Sequence, residues 1–218
     1  MISPNTQLIL NVLAGAMFVL AFFIIGKIRL RSMLNMLTWQ SILLALFVFV
    51  IAWTEGEWQL FITATLIIVM KAWLIPKLLL YSSEHTKANQ RLQSFLRPET
   101  TLFLGFIFVI VGFILTRSIV PGLDAIYPSV GVAVSMILLG LLSLIVRKDM
   151  YGQIVAFLLM ENGIFVFGLT LTGGMPLLVE LGIFLDVTIG AVLMTGLSYR
   201  VQQEIETVTT DALSELID

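Results

Sequence analysis

The chain has 218 residues, of which 59% are hydrophobic and 12% charged, and its formal net charge is −2. The charged fraction is about half of the roughly 25% found in soluble domains, so the composition predicts an integral membrane protein with one helical bundle. Continuous apolar runs disfavour a β-barrel, the lack of a basic face disfavours nucleic-acid binding, and the lack of cysteine excludes disulfides, thiolate metal sites and Fe–S ligation in this chain.

Seven apolar segments follow one another and predict an all-α polytopic membrane protein with seven transmembrane helices. In chain order they cover about residues 6–26, 34–53, 58–81, 101–120, 129–146, 150–171 and 177–201. The first has no basic region before it and no small-residue cleavage site after it, so we interpret it as a retained helix. We divide the chain into a four-helix region (1–128), a three-helix region (129–201) and a polar tail (202–218).

The basic residues predict the orientation, because Lys and Arg remain on the cytoplasmic side of short loops. Arg117 alone lies on one side, and Lys71 lies inside the third segment. The other ten basic residues flank the opposite side: Lys27, Arg29, Arg31, Lys77, Lys87, Arg91, Arg97, Arg147, Lys148 and Arg200. We therefore predict an outer N-terminus and a cytoplasmic C-terminus. The loops are too short to hold a catalytic site of their own.

Lys71 is the first ionisable residue inside a predicted span, more than two helical turns from either end. Pro76 follows it, removes a helix hydrogen bond and can kink the segment. One interpretation is a lysine that extends its long stem to the interface. The other is an intramembrane base or counter-ion, because a lysine and a carboxylate at such depth can share a proton, as a proton relay requires.

Glu161 lies fourteen residues beyond Arg147, or about 20 Å along a helix, which is past the middle of a hydrocarbon core about 30 Å thick. An ionisable group at this depth is costly unless it is paired, hydrated or protonated. Asn162 can form hydrogen bonds across helices, and Gly163 lets another backbone approach. Glu161 is thus either a proton-relay group or a protonated side chain that joins two helices.

The seventh segment carries two further carboxylates, Glu180 and Asp186. Glu180 is about one turn into the segment, where a half-solvated acid at a helix start is an equally good interpretation. A short turn at 173–176 predicts that segments six and seven are antiparallel neighbours. Because Glu161 and Asp186 lie about ten residues from that turn, we expect them at similar depth.

These motifs resemble the E subunit of hydrogenase-4 complexes of the formate hydrogenlyase type. The resemblance rests on the run Met160–Gly163, on Val179–Ile183 and on Lys71 followed by Pro76. It covers essentially the whole chain, and the three-helix region is also similar to the K subunit of bacterial complex I and the C subunit of Mrp antiporters.

The likeness to the K subunit rests on the basic pair Arg147-Lys148, on Asn162, and on the acid, small residues, isoleucine and glycine of 186–190. It departs at one place: Leu158 occupies the K-subunit glutamate position, and Glu161 follows three residues later, nearly one helical turn on the same face. This difference favours hydrogenase-4 E over complex I.

The resemblance implies a non-catalytic membrane subunit beside antiporter-like subunits, in the cytoplasmic membrane of a bacterium or archaeon. A peripheral redox arm would drive proton or Na⁺ movement along buried acids and lysines, here Lys71, Glu161, Glu180 and Asp186, with Asn162, Gly163 and Pro76 as packing support. The chain itself would hold no cofactor. Fe–S clusters, and in a hydrogenase also a Ni–Fe centre, would lie in partner subunits.

Two other functions stay open at this stage. The seven helices could be a structural anchor for partner subunits, with the buried charges serving only in packing. The chain could also be a component of a cation/proton antiporter without redox chemistry.

Overall fold

The computed structural model describes residues 4–85, 92–119, 128–172 and Gly182, and its elements are helices joined by short connections. Five of the six spans are unbroken α-helices: α1 (Pro4–Ile25), α2 (Leu30–Glu55), α5 (Pro98–Ile119), α6 (Pro128–Val146) and α7 (Met150–Thr172). The third span consists of α3 (Trp58–Ile67), a π-helical segment π1 (Ile68–Leu74) and α4 (Ile75–His85).

Six helices in these ranges have the length and apolar composition to cross a membrane. They correspond to the first six predicted segments, and every bound agrees with the predicted one to within four residues. The predicted seventh segment lies outside the described residues except for Gly182, which is helical. The number of seven spans, the orientation and the regional division stay predictions.

Helices α6 and α7 form the most extensive contact of the bundle. Gly140 makes this possible, because a Cβ atom there would meet backbone atoms of Met160 at 2.6 Å. Gly163 has the same role on α7, where a Cβ atom would lie 2.9 Å from the backbone nitrogen of Ile137. Within this chain, Gly163 lies against α6. Its predicted support of a proton-relay site stays a proposal. The two helix axes therefore approach closely beside Glu161.

Helix α5 lies at the edge of the bundle. In an apolar stretch of 18 residues, 22% of the positions of α5 are buried, against 61% in both α6 and α7. The inner face of α5 contacts α6, where the Ser135 hydroxyl donates to the Val109 carbonyl at 3.3 Å. Gly131, one turn before Ser135, lies at the same interface, since a Cβ atom on Gly131 would meet the Phe113 ring.

Three connections are tied together at one end of the bundle by backbone hydrogen bonds. Leu92 donates to the Ile28 carbonyl at 2.8 Å, and Phe95 donates to the Val146 carbonyl at 2.9 Å. Lys148 donates to the Gln93 carbonyl at 3.1 Å. These bonds join the connections before α2, before α5 and before α7, so the ends of α1, α2, α5, α6 and α7 are fixed to one another.

Arg147 is the centre of this junction, and only 3% of its surface is exposed. Its guanidinium donates to the carbonyl oxygens of Ile25 at 3.1 Å and Lys27 at 2.6 Å, which lie at the end of α1. Burial lowers the pKa of Arg147 from its ordinary value, and the Asp149 carboxylate opposes this shift. Asp149 accepts hydrogen bonds from the backbone of Gln93 and Gly152. We call these residues, Arg147 and Asp149 with their backbone partners, the Arg147 clasp.

Candidate functional site

A cluster of polar side chains occupies the middle of the bundle, where an apolar core would be expected. At most 2% of the surface of each of its members is exposed: Lys71 from π1, Glu161 and Asn162 from α7, and Gln40 from α2. Each lies near the centre of its span, about ten residues or more from both helix ends. A polar group in hydrocarbon must be satisfied by protein partners, so the sequence brings these four together rather than exposing any of them to lipid.

Lys71 and Glu161 form the ionic part of the cluster. The Lys71 Nζ atom lies 3.1 Å from Glu161 Oε2, and each side chain is 2% exposed. Although the charges are in contact, neither Glu161 carboxylate oxygen receives a hydrogen bond with acceptable geometry from the residues that the structure describes. The contact is therefore ionic without hydrogen-bond geometry, and the buried carboxylate keeps acceptor capacity toward the described residues.

The neutral part of the cluster is a chain of two amides. Lys71 Nζ donates to Asn162 Oδ1 at 3.2 Å. Asn162 Nδ2 donates to Gln40 Oε1 at 3.1 Å, and Gln40 Nε2 donates to the Met17 carbonyl oxygen at 3.1 Å. This chain crosses from the third span through α7 and α2 to α1, so four spans contribute to one hydrogen-bonded path.

Lys71 also contacts an aromatic ring. Its Nζ atom lies 4.6 Å from the centroid of the Phe165 ring, one turn along α7 from Glu161. A cation over an aromatic face is stabilised by the ring quadrupole, more strongly where water is excluded. Gly182 packs against the same ring, which occupies the space that a Cβ atom on Gly182 would need. The predicted seventh segment thus touches the residue that covers Lys71.

The backbone around Lys71 is locally widened. The Ile75 N–H donates to the Met70 carbonyl, five residues back, where an α-helix would use Lys71. Pro76 follows immediately and has no N–H to donate, which favours a change of hydrogen-bond register at this point. A π-helical turn that includes Lys71 therefore precedes Pro76, and a kink at Pro76 itself stays a prediction.

The structure brings together three of the residues singled out from the sequence, Lys71, Glu161 and Asn162, and their roles as relay and support stay proposals. Glu180 and Asp186 lie outside the described residues, so their expected depth beside Glu161 is untested. Leu158, at the K-subunit glutamate position, is a buried apolar core residue.

Sequence reasoning missed Gln40 and the burial of Arg147. A signal for Gln40 was present: it is an amide near the centre of an otherwise apolar span, where each polar group needs a partner. Arg147 was assigned only to the basic side of the membrane, because one sequence does not distinguish a solvated arginine from one that binds carbonyl oxygens.

The cluster can hold and exchange a proton, since it joins a carboxylate to an ammonium group in a site without exposed surface. The described residues contain no group of three or more His, Asp or Glu side chains placed to hold a metal ion. The chain as a whole contains no cysteine.

The chain is similar over its whole length to known proteins. It is 25% identical to hydrogenase-4 component E of Escherichia coli over 96% of this chain and 98% of that protein. The Shigella flexneri protein of the same name gives the same values. An uncharacterized protein of Mycobacterium tuberculosis is 25% identical over the full length of both chains. No family model matches the chain, and no solved structure is similar to it.

These comparisons confirm the predicted resemblance to hydrogenase-4 component E, including its extent over nearly the entire chain. Together with six helices able to cross a bilayer, they identify a multi-pass membrane protein similar to a hydrogenase component.

Proposed function

We propose that this chain is a membrane subunit of a hydrogenase-4-like redox complex, and that Lys71 and Glu161 form one station of its ion path. The likeness to hydrogenase-4 component E supports the assembly. One observation carries the proposed role: a buried carboxylate lies 3.1 Å from a buried ammonium group but receives no well-directed hydrogen bond from the described residues. A purely structural ion pair gains most from full hydrogen bonding, and within the described part of the chain the Glu161 carboxylate lacks it.

In this proposal the station exchanges protons rather than binding substrate. The pair holds one proton either as carboxylate and ammonium or as carboxylic acid and amine, and it loads a second as acid and ammonium. Asp186 and Glu180 of the seventh segment would continue the path, with Asp186 at the depth of Glu161. Pro76, Asn162 and Gly163 would support the site. An outer N-terminus and a cytoplasmic C-terminus would complete the arrangement.

The wider assembly follows from the resemblance. Antiporter-like membrane subunits would lie beside this chain, and a peripheral arm with Fe–S clusters, and Ni–Fe in a hydrogenase, would supply the energy. Purification of the tagged chain in mild detergent, mass spectrometry of its partners and measurement of bound Fe and Ni would test this. Antiporter-like partners without iron would contradict it and favour ion exchange instead.

The station is tested with Glu161→Gln, Asp186→Asn and the double variant. Glutamine and asparagine keep the side-chain size but do not release or accept a proton at neutral pH. We expect the complex to assemble and proton pumping per redox turnover to fall by about tenfold or more in the double variant. Thr63→Val is the matched control, because Thr63 is a buried polar residue whose hydroxyl donates within its own helix, to the Gln59 carbonyl.

The same variants separate the proposal from its main alternative. If the chain is only an anchor, they should reduce the recovery of partner subunits and leave the pumping of assembled complexes unchanged. Full pumping by the assembled double variant would exclude the proposed station.

A further inference from the structure

The amide chain between Met17 and Lys71 has a fixed direction. At one end, the Met17 carbonyl oxygen can only accept, and it accepts from Gln40 Nε2. At the other end, the Lys71 ammonium can only donate, and it donates to Asn162 Oδ1. Between them, Asn162 donates to Gln40. Reversing either amide would place two donors or two acceptors against each other. The Met17 carbonyl and the Lys71 ammonium therefore determine the orientation of both amides.

This direction has a consequence for Lys71. Its ammonium contacts two oxygens at nearly equal distance, Glu161 Oε2 at 3.1 Å and Asn162 Oδ1 at 3.2 Å. Glu161 changes its charge when it gains a proton, whereas Asn162 does not. When Glu161 is neutralised, the Asn162 oxygen still accepts from Lys71. An ammonium group left without compensation in a buried site would be strongly disfavoured.

The geometry points to Gln40 and Asn162 as positioning residues that keep Lys71 charged while Glu161 takes up a proton. This inference rests on the proposed function, because it concerns the step in which the pair holds two protons. Gln40 acts through Asn162: it accepts a hydrogen bond from Asn162 Nδ2, and this bond keeps the Asn162 NH₂ group turned away from the ammonium.

Other charges near Glu161 do not supply this effect in the described part of the chain. Helices α1 and α6, which pack against α7, contain no ionisable side chain in their sequences. Helix α2 also packs against α7, and its two charged residues, Arg31 and Glu55, lie at its ends, far from the centre. Lys71 is the charged side chain in ionic contact with Glu161.

The test uses the whole purified complex and needs no redox substrate. The infrared band of the protonated Glu161 carboxyl is identified by its loss in Glu161→Gln and then followed against pH. In Gln40→Met the acceptor and donor of residue 40 are removed with little change in length, and in Asn162→Leu the link itself is removed. In both variants we expect the band to reach half of its full intensity about one pH unit lower than in the unmodified complex. That shift corresponds to a tenfold weaker proton uptake.

Thr63→Val is again the control and should leave the titration unchanged, since its hydroxyl lies outside the chain. General damage to packing would lower stability without a consistent shift in the pH at which the band reaches half intensity. If either Gln40→Met or Asn162→Leu does not assemble, the inference is tested with the variant that does. A wild-type titration in the assembled variants would overturn this inference and leave the proposed station intact. Full pumping by Glu161→Gln together with Asp186→Asn would instead overturn the proposed function.

Discussion

Arg147 and Lys71 are both basic residues with almost no exposed surface, but their partners differ in kind. Arg147 donates to the carbonyl oxygens of Ile25 and Lys27, which have no other protonation state at physiological pH. Lys71 contacts Glu161, whose charge can change, and Asn162, whose charge cannot. The comparison shows that burial of a basic residue does not by itself indicate function. The partner decides whether the local charge is constant or variable.

The acids of the two regions differ in the same way. Both carboxylate oxygens of Asp149 accept backbone hydrogen bonds, at 2.9 Å from Gln93 and 2.7 Å from Gly152. Neither oxygen of Glu161 accepts a well-directed bond from the described residues. The Asp149 carboxylate is therefore fixed to the backbone on both sides, whereas the Glu161 carboxylate is held by its ionic contact with Lys71.

The largest expected effect on stability comes from the Arg147 clasp. In Arg147→Met the buried carbonyl oxygens of Ile25 and Lys27 lose their side-chain donor, at an expected cost of about 3 kcal/mol. We expect a large fall in the thermal midpoint and in the yield of the chain in detergent. Pumping per assembled complex should be unchanged. A Lys148→Met variant, next in sequence, is the control. Lost pumping with normal stability would show that the clasp is not purely structural.

The second effect concerns the contact that places Glu161. In Gly140→Ala the new methyl group would meet the Met160 backbone, so α6 and α7 must separate, at an expected cost of about 2 kcal/mol. Gly15→Ala is the control, because a Cβ atom at Gly15 has nothing within 4 Å. That variant should be neutral or slightly stabilising, since alanine favours a helix. Equal thermal midpoints for the two variants would contradict the close α6–α7 approach.

A third prediction tests whether the ionic pair contributes to stability or to function. Lys71→Met with Glu161→Gln removes both charges, and replacing a buried pair by neutral groups is often harmless or stabilising by about 1 kcal/mol. We expect the double variant to be at least as stable as the unmodified chain and more stable than Lys71→Met alone. Its pumping should be lost. A double variant clearly less stable than either single variant would show that the pair has a structural role, like the Arg147 clasp.

The smallest effect is expected at the surface. Arg31 and Glu84 form an ion pair at 3.3 Å, but their side chains are 66% and 49% exposed. Pairs of this kind contribute about 0–1 kcal/mol and weaken with salt. We expect Glu84→Gln to shift the thermal midpoint by little at low salt and not at all at high salt. A shift as large as that of Arg147→Met would contradict the distinction between exposed and buried charges.

Sequence reasoning predicted the helical class and six of the spans because a run of apolar residues long enough to cross a bilayer has few other outcomes. It also selected Lys71, Glu161 and Asn162, since polar groups are costly at that depth. It could not pair them, because helical spacing fixes depth but not which spans adjoin. Gln40 was missed for the same reason: its significance depends on two partners from other helices.

The register change in π1 was also beyond sequence reasoning. Pro76 has no backbone N–H to donate, but whether the helix kinks, widens or ends there depends on what packs around it. The widened turn places Lys71 inside the bundle, whereas Trp73, two residues on, is 55% exposed.

The π-helical turn also gives the third span one residue more than a continuous α-helix would need at this point. One residue in an α-helix corresponds to about 100° of rotation, so the loss of a residue from an unbroken span turns all later side chains by about that amount. The loss of one residue between Lys71 and Pro76 would instead convert the π-helical turn to an α-helical one, and α4 would keep its present direction toward its neighbours. The bundle should therefore tolerate a one-residue deletion here better than in an unbroken span such as α1.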